Sequence, residues 1–159
     1  MTTPLRPMEL KEMLSSVFRR KGSSGAFMRL YEDLTAEQQG ILSKIAQLGE
    51  DELPILGSAA PSDSWFLLTT TRLINGCGGD VTELSMTDIK DATVDFVALQ
   101  EGGRTKLDLR ELDIITMSGK QHRILIESGA PFSGVWNVLR TVGARNRRDN
   151  EYKAVPEQL

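Results

Sequence analysis

Apolar residues three and four positions apart recur through the first fifty residues, which is the spacing of one helix face. One such stripe predicts a helix over residues 8–20, and a shorter one predicts a short helix over 27–34. Thr35 and Gln38 have the spacing of a capping box, and the stripe after them predicts a helix that ends at Gly49. The two main stripes are Met8, Met13, Leu14, Val17 and Phe18, then Ile41, Leu42, Ile45 and Leu48.

After these helices the pattern changes to short extended runs separated by turn residues. Three threonines between two apolar runs predict two strands joined at Thr69–Thr71. The glycine-rich run 75–80 predicts an interruption, because glycine loses much entropy inside a strand. Ala92, Val94 and Phe96 alternate with polar residues, as in a half-buried strand. The other predicted strands are 53–60, 65–68, 72–74 and 81–86.

The C-terminal part predicts a hairpin followed by a helix. Pairing Ile114 with Ile124 across a three-residue loop puts the apolar residues of both strands on one face. The helix is predicted to begin at Pro131 or Ser133, and the polar chain after Arg148 is predicted to fray. Its apolar face comprises Phe132, Val135, Trp136, Val138, Leu139 and Val142.

Together these elements predict an α+β fold. Six or seven short antiparallel strands are expected to close into a small barrel, because an open sheet would expose its edges and one apolar face. The C-terminal helix is expected to cap this barrel. The predicted organisation is an N-terminal helical extension over 1–50, the barrel with its helix over 53–148, and a flexible tail over 149–159.

Part of this pattern resembles a known family. The run Trp65–Ile74, WFLLTTTRLI, resembles the aliphatic-Leu-Thr-x-x-Arg-Leu-Ile hairpin of bacterial pleckstrin-homology-like (PH-like) domains. Met86–Ile89 resembles the polar-x-Asp-Ile step of that family, and the later hairpin and helix follow in the family's order. The resemblance covers 53–148 and implies a PH-like fold, with a homo-oligomer as one possible state. A phosphoinositide site is not expected, because the loop equivalent to the lipid-binding loop of this fold, 60–64, has no cation and one anion.

Charge and cysteine content narrow the classes of function. The 159 residues carry a net charge of −3, which gives no overall field toward nucleic acid or an anionic membrane. Cys77 is the only cysteine, so an intrachain disulfide and a four-cysteine zinc site are excluded. There is no signal-peptide pattern and no run of 18 apolar residues. A cytoplasmic location is expected.

The residues that could carry chemistry do not form a recognisable catalytic, cofactor or metal site. His122 is the only histidine, and no partner for it can be assigned from the sequence. Cys77 has Arg72 as its only nearby cation. The glycines 76, 78 and 79 lack the ending of a phosphate-binding loop, and Asp88, Asp91 and Asp95 form no metal-ligand set. We therefore expect no enzyme, no cofactor and no metal.

The leading hypothesis is a non-catalytic module that binds another protein or a second copy of itself. It would add a strand at an imperfectly closed edge or dock a peptide beside the final helix. One alternative is a small-molecule binder or enzyme that uses the barrel mouth near His122. Another is weak binding to an anionic membrane, for which Arg145, Arg147 and Arg148 are the candidate residues, as they are for any acidic partner. The simpler interpretation is that these arginines are only cations in solvent at the C-terminal ends of helices. The same applies to Arg140 and to the cluster Arg19–Lys21.

Overall fold

A computed structural model describes residues 4–59, 64–103, 105 and 108–154. This part of the chain is α+β, with eight strands in two antiparallel sheets and a C-terminal helix. The first sheet has the order β1-β2-β3-β4-β5, formed by Arg29–Leu30, Pro54–Ala59, Ser64–Thr69, Arg72–Cys77 and Asp80–Ser85. The second has the order β6-β7-β8, formed by Ile89–Thr93, Glu111–Thr116 and Gln121–Leu125. No strand pairing within the described ranges joins the two sheets.

Four α-helices accompany the sheets: α1 Pro7–Lys21, α2 Ala36–Ala46, α3 Phe96–Glu101 and α4 Ala130–Ala154. The capping box of α2 is confirmed, because Thr35 and Gln38 exchange side-chain and backbone hydrogen bonds. The predicted end at Gly49 is wrong. Gln47 ends the helix instead, in the left-handed conformation with φ 50°. The short helix predicted over 27–34 is replaced by β1 and a 3₁₀ turn, Tyr31–Asp33.

The hairpin at the threonines is confirmed, with β3 and β4 on either side of Thr70 and Thr71. The predicted interruption over 75–80 is wrong, because Asn75, Gly76 and Cys77 continue β4 and pair with β5. Only Gly78 and Gly79 form the turn, with φ 58° and 91°, as a two-residue hairpin turn requires. Position 76 needs a glycine, because the Trp65 indole occupies the space that a Cβ atom would fill.

Two predictions in the second sheet need correction. Phe96 is not in a strand: β6 ends at Thr93, and Asp95 caps the N-terminus of α3 by accepting the Ala98 N–H. In the β7–β8 hairpin, Ile114 pairs with His122 rather than with Ile124. The loop does have three residues, since Thr116 N–H bonds to Lys120 O, but its glycine is last, with φ 88°. The register differs by two positions, so the predicted apolar faces still point inward.

One main core fills the space between the sheets and beneath α1 and α4. Leu14 and Phe18 of α1 share this core with residues of both sheets and α4, so the N-terminal segment packs into the same core as 53–148. A smaller core lies under α2 on the outer face of the first sheet, and it contains Leu34, Leu42, Ala46, Leu67 and Ile74. Both faces of the first sheet are therefore covered.

The final helix, α4, packs against both α1 and the second sheet. It begins at Ala130 and continues past Arg148, where the sequence predicted its end, to Ala154. On one side it packs against α1, where Gly134 gives room for the Phe18 ring. On another it packs against β6, and Gly143 lies so close to the Lys90 carbonyl that a Cβ atom would overlap it. Helix α4 thereby covers one edge of the second sheet.

Candidate functional site

The two edges of the second sheet differ in what covers them. Along β6, side chains of α4 donate hydrogen bonds to the backbone carbonyls. Trp136 Nε1 donates to Ala92 O at 2.8 Å, and Asn146 Nδ2 donates to Ile89 O at 2.7 Å. Arg147 donates to Lys90 O. These carbonyls already accept hydrogen bonds, so a peptide beside the final helix would have to displace helix side chains in order to pair with β6.

The other edge, β8, is open. Ile126 N–H donates to Arg110 O at 2.7 Å, and Lys120 O accepts from Thr116 N–H. The backbone N–H and C=O groups of the even-numbered residues of β8 therefore point toward β7. Because the bonding direction alternates along an antiparallel strand, the N–H and C=O groups of Arg123 and Leu125 point away from β7. No described strand pairs with that side. The Leu125 residue is 43% exposed. We call this side of Arg123 and Leu125 the β8 edge.

A groove with a volume of about 470 Å³ lies at the end of the β8 edge, between the two sheets. Ser58 and Trp65 line it from the first sheet, and Arg110 and Leu125 line it from the second sheet. Phe27, from the segment before β1, lines it as well. The groove therefore joins exposed apolar surface to the unpaired backbone groups of the β8 edge.

Glu127 holds one wall of the groove in place. Its carboxylate accepts three backbone hydrogen bonds, from Ala26 at 2.7 Å, Phe27 at 3.0 Å and Met28 at 2.7 Å. This fastens the segment before β1 to the residues that follow β8, about 100 positions away in the sequence. Both carboxylate oxygens are used. Sequence reasoning missed this residue, because a carboxylate that binds distant backbone has no local sequence signal.

The charged side chains that line the groove are Arg110, Glu111 and Glu127. Arg123 bonds Asp113, with Nε to Oδ1 at 2.9 Å, and lies 3.5 Å from Glu111. The hydrogen bond to Asp113 raises the pKa of Arg123 above its ordinary value. Arg110 is exposed, and its side chain has no hydrogen bond or ion pair within the described ranges. The groove is therefore lined by two carboxylates and one cation, and its charged side chains sum to a negative charge.

The arginines predicted from sequence as partner-binding residues do not form one free cluster. Arg145 packs against α1, with its guanidinium 3.9 Å from the Met13 sulfur. Arg147 turns toward β6, where it bonds Lys90 O and lies 3.8 Å from Asp91. Arg148 is exposed. Two of the three therefore help to dock α4, Arg145 against α1 and Arg147 against β6.

The remaining sequence candidates lie apart from the groove. His122 is partly buried on β8, and the described part of the chain offers it no hydrogen bond or ion pair. Cys77 is exposed at the end of β4. The described residues contain no group of three or more His, Cys, Asp and Glu side chains that could hold a metal ion. Residues 60–63 of the loop compared with the phosphoinositide loop lie outside the described residues.

The threonines and arginine that carry the PH-like resemblance bind a buried carboxylate. Glu52 accepts hydrogen bonds from Thr69 Oγ1 at 2.6 Å, Thr71 Oγ1 at 2.8 Å and Arg72 Nε at 2.7 Å. It also accepts the Gly49 N–H at 3.0 Å. Burial by itself raises the pKa of Glu52, but these hydrogen bonds lower it from 4.5 to about 2. This motif therefore joins the loop after α2 to the β3–β4 hairpin, away from the groove.

A pH dependence of stability follows from this carboxylate. Because the folded-state pKa of Glu52 lies below the unfolded value, its stabilising contribution is present above pH 4.5 and is lost as the pH falls toward 2. We expect Glu52→Gln to lower the free energy of unfolding at pH 7 and to lose most of its effect near pH 2. Urea unfolding across this range measures it, and Asp51→Asn, an exposed neighbour, is the control. A difference between wild type and Glu52→Gln that did not change with pH would contradict the assignment.

Among known proteins, no family model matches the chain, and the search of curated proteins finds no match. No helix in the described ranges is long and apolar enough to cross a membrane. The β8 edge and the groove beside it are the features from which we infer a function.

Proposed function

We propose that the protein is a non-catalytic, PH-like interaction module, and that an extended segment of a partner protein adds to β8 as a further strand. The observation that carries this proposal is the β8 edge, where the backbone groups of Arg123 and Leu125 have no strand beside them. Proteins commonly blunt such edges with proline, lysine or a covering element. Helix α4 covers β6 in this way, whereas β8 is left open.

The order of elements supports the PH-like part of the proposal. Seven antiparallel strands, β2 to β8, are followed by the long helix α4. The number lies within the six or seven strands predicted from the sequence, and the last hairpin and helix follow in the order that the resemblance implies. In the proposed complex the added strand lies along the opening between the two sheets and completes a barrel that the chain by itself leaves open. A single unpaired cysteine, Cys77, fits the cytoplasmic location that we propose for it.

A small molecule in the groove is the second candidate. Its volume of about 470 Å³ lies within the range of ligand pockets, roughly 300–1,000 Å³. A ligand site also needs several polar groups that converge on the ligand. Here the Glu127 oxygens are already bound to backbone N–H groups, and His122 does not line the groove. Strand addition uses what the site offers, namely unpaired backbone groups beside exposed apolar surface.

Site-specific photo-crosslinking in the native cells tests strand addition. A photoreactive phenylalanine analogue in place of Leu125 is expected to form a covalent adduct with a protein, because this side chain borders the groove. The control is the same analogue in place of Val97, which lies on α3 and is 65% exposed. A protein adduct at Val97 that is absent at Leu125 would place the interaction elsewhere.

Leu125→Pro separates strand addition from simple proximity. The Leu125 N–H points away from β7, so proline removes only the donor that a partner strand would use, and edge strands tolerate it. In this variant we expect loss of the adduct from an analogue placed at Gln121, an exposed residue of β8. Val81→Pro, at the exposed edge strand β5, is the matched control and should leave that adduct unchanged.

A further inference from the structure

We infer that the segment which adds to β8 is basic, and that one of its lysine or arginine side chains lies over Leu125 and pairs with Glu111. This inference rests on the proposed strand addition and specifies the chemistry of the partner. Two observations on the outer face of the second sheet, the face away from the main core, support it. Glu111 has only a shared cation, and Leu125, an exposed leucine, lies between Glu111 and the β8 edge.

Carboxylates outnumber cations on this outer face in the described part of the chain. Asp113 accepts two hydrogen bonds from Arg123, from Nε at 2.9 Å and from Nη2 at 3.2 Å. Glu111 is left with the remaining nitrogen, Nη1, at 3.5 Å, and its side chain is 40% exposed. The hydrogen bond to Asp113 raises the pKa of Arg123, and the charges of Glu111 and Asp95 act in the same direction. One guanidinium therefore serves three carboxylates, and Glu111 is the one that a second cation would complete.

The groove beside the β8 edge has the same sign of charge. Glu111 and Glu127 line it together with one cation, Arg110. The backbone N–H groups that bind Glu127 bring no full charge, so they hold this carboxylate in place without neutralising it. A basic segment would therefore be attracted to this end of the second sheet, whereas an acidic segment would be repelled.

The strand register places Glu111 within reach of an added strand. Glu111 pairs with Leu125 across β7 and β8, so both side chains project from the outer face. A residue that bonds the outward N–H and C=O groups of Leu125 would stand in the same row, two strand spacings or roughly 10 Å from Glu111. An extended lysine or arginine side chain and the glutamate side chain span that distance together. The aliphatic part of the basic side chain would cover Leu125, which is 43% exposed.

The alternation of side chains along a strand adds a second requirement for the same segment. The residues on either side of the basic residue would point to the opposite face of the sheet, toward the groove between the sheets. Phe27 and Ile126 line this groove. We therefore expect the partner segment to place an apolar residue next to its lysine or arginine.

Selection from a random octapeptide phage library on the full chain tests the inference. We expect the selected peptides to share a lysine or arginine next to an apolar residue. Glu111→Lys is expected to weaken binding of a synthetic copy of the best peptide by about tenfold or more, because attraction is replaced by repulsion. Glu12→Lys, the same charge reversal at an exposed glutamate of α1, should leave binding unchanged, and it controls for attraction to the net charge of the whole protein.

A charge exchange shows whether the contact with Glu111 is direct. A second peptide, in which glutamate replaces the shared basic residue, should bind Glu111→Lys more tightly than it binds wild type. Thermal unfolding followed by circular dichroism shows whether each variant is folded.

The variants distinguish failure of this inference from failure of strand addition. Peptides that lose binding to Leu125→Pro but carry no basic residue, or that bind Glu111→Lys as tightly as wild type, would overturn the inference and leave strand addition standing. If selected peptides bind Leu125→Pro as tightly as wild type, or if the library yields no binder, strand addition at β8 is itself contradicted.

Discussion

Replacing Arg72 by methionine will lower the free energy of unfolding at pH 7 by about 3 kcal/mol or more, the typical cost of leaving one charge of a buried pair without its partner. Arg72 bonds the Glu52 carboxylate through Nε at 2.7 Å and Nη2 at 3.0 Å. It also bonds Glu83 and the last carbonyl of α2, that of Ala46. These contacts raise the pKa of Arg72, chiefly through its hydrogen bonds to Glu52. Urea denaturation of the variant measures the loss.

A double-mutant cycle shows whether the loss comes from this pair. With Glu52 changed to glutamine, no buried charge remains to be stranded, so the cost of Arg72→Met should be clearly smaller. Arg148→Met removes an exposed arginine and should change stability little. Equal costs of Arg72→Met in the presence and absence of the Glu52 charge would show that packing of the arginine stem, and not the ion pair, dominates.

Gly143→Ala is expected to lower the free energy of unfolding by about 1–3 kcal/mol, although alanine favours helices. The added Cβ atom would overlap the Lys90 carbonyl and approach the Asp91 nitrogen at 3.1 Å. These are backbone atoms of β6, so they cannot move aside as a flexible side chain could. The helix must shift outward, which also weakens the hydrogen bonds that Trp136 and Asn146 make to this strand. Equilibrium unfolding in urea measures the cost.

Gly40→Ala provides the matched control for this prediction. Gly40 lies within α2, and a Cβ atom there would meet nothing within 4 Å. Alanine should therefore stabilise the protein, by up to about 1 kcal/mol, through helix propensity alone. If both substitutions stabilised the protein, α4 would not be docked on β6 as closely as the structure shows, and the β6 edge would be more accessible than we propose.

The sequence predicted the elements whose signals are local. The capping box at Thr35, the threonine-joined hairpin and the apolar face of the last helix each depend on residues a few positions apart. The alternation of strand residues, together with the final amphipathic helix, was enough to predict an antiparallel α+β fold. The α2 helix end and the β7–β8 register were wrong by two positions, because the position of a left-handed residue decided each of them.

The candidate site could not be predicted, because every part of it depends on distant residues. The β8 edge is open only because α4 covers β6 and no element covers β8 in the described part of the chain. Glu127 gains its role from backbone groups near residue 27, about 100 positions away in the sequence. The sequence by itself determined the main helices and strands and their apolar faces, although it assigned 27–34, 75–77 and Phe96 to the wrong element. Only the tertiary structure decided which edge of the second sheet is covered and which is open, since that depends on how the rest of the chain packs around them.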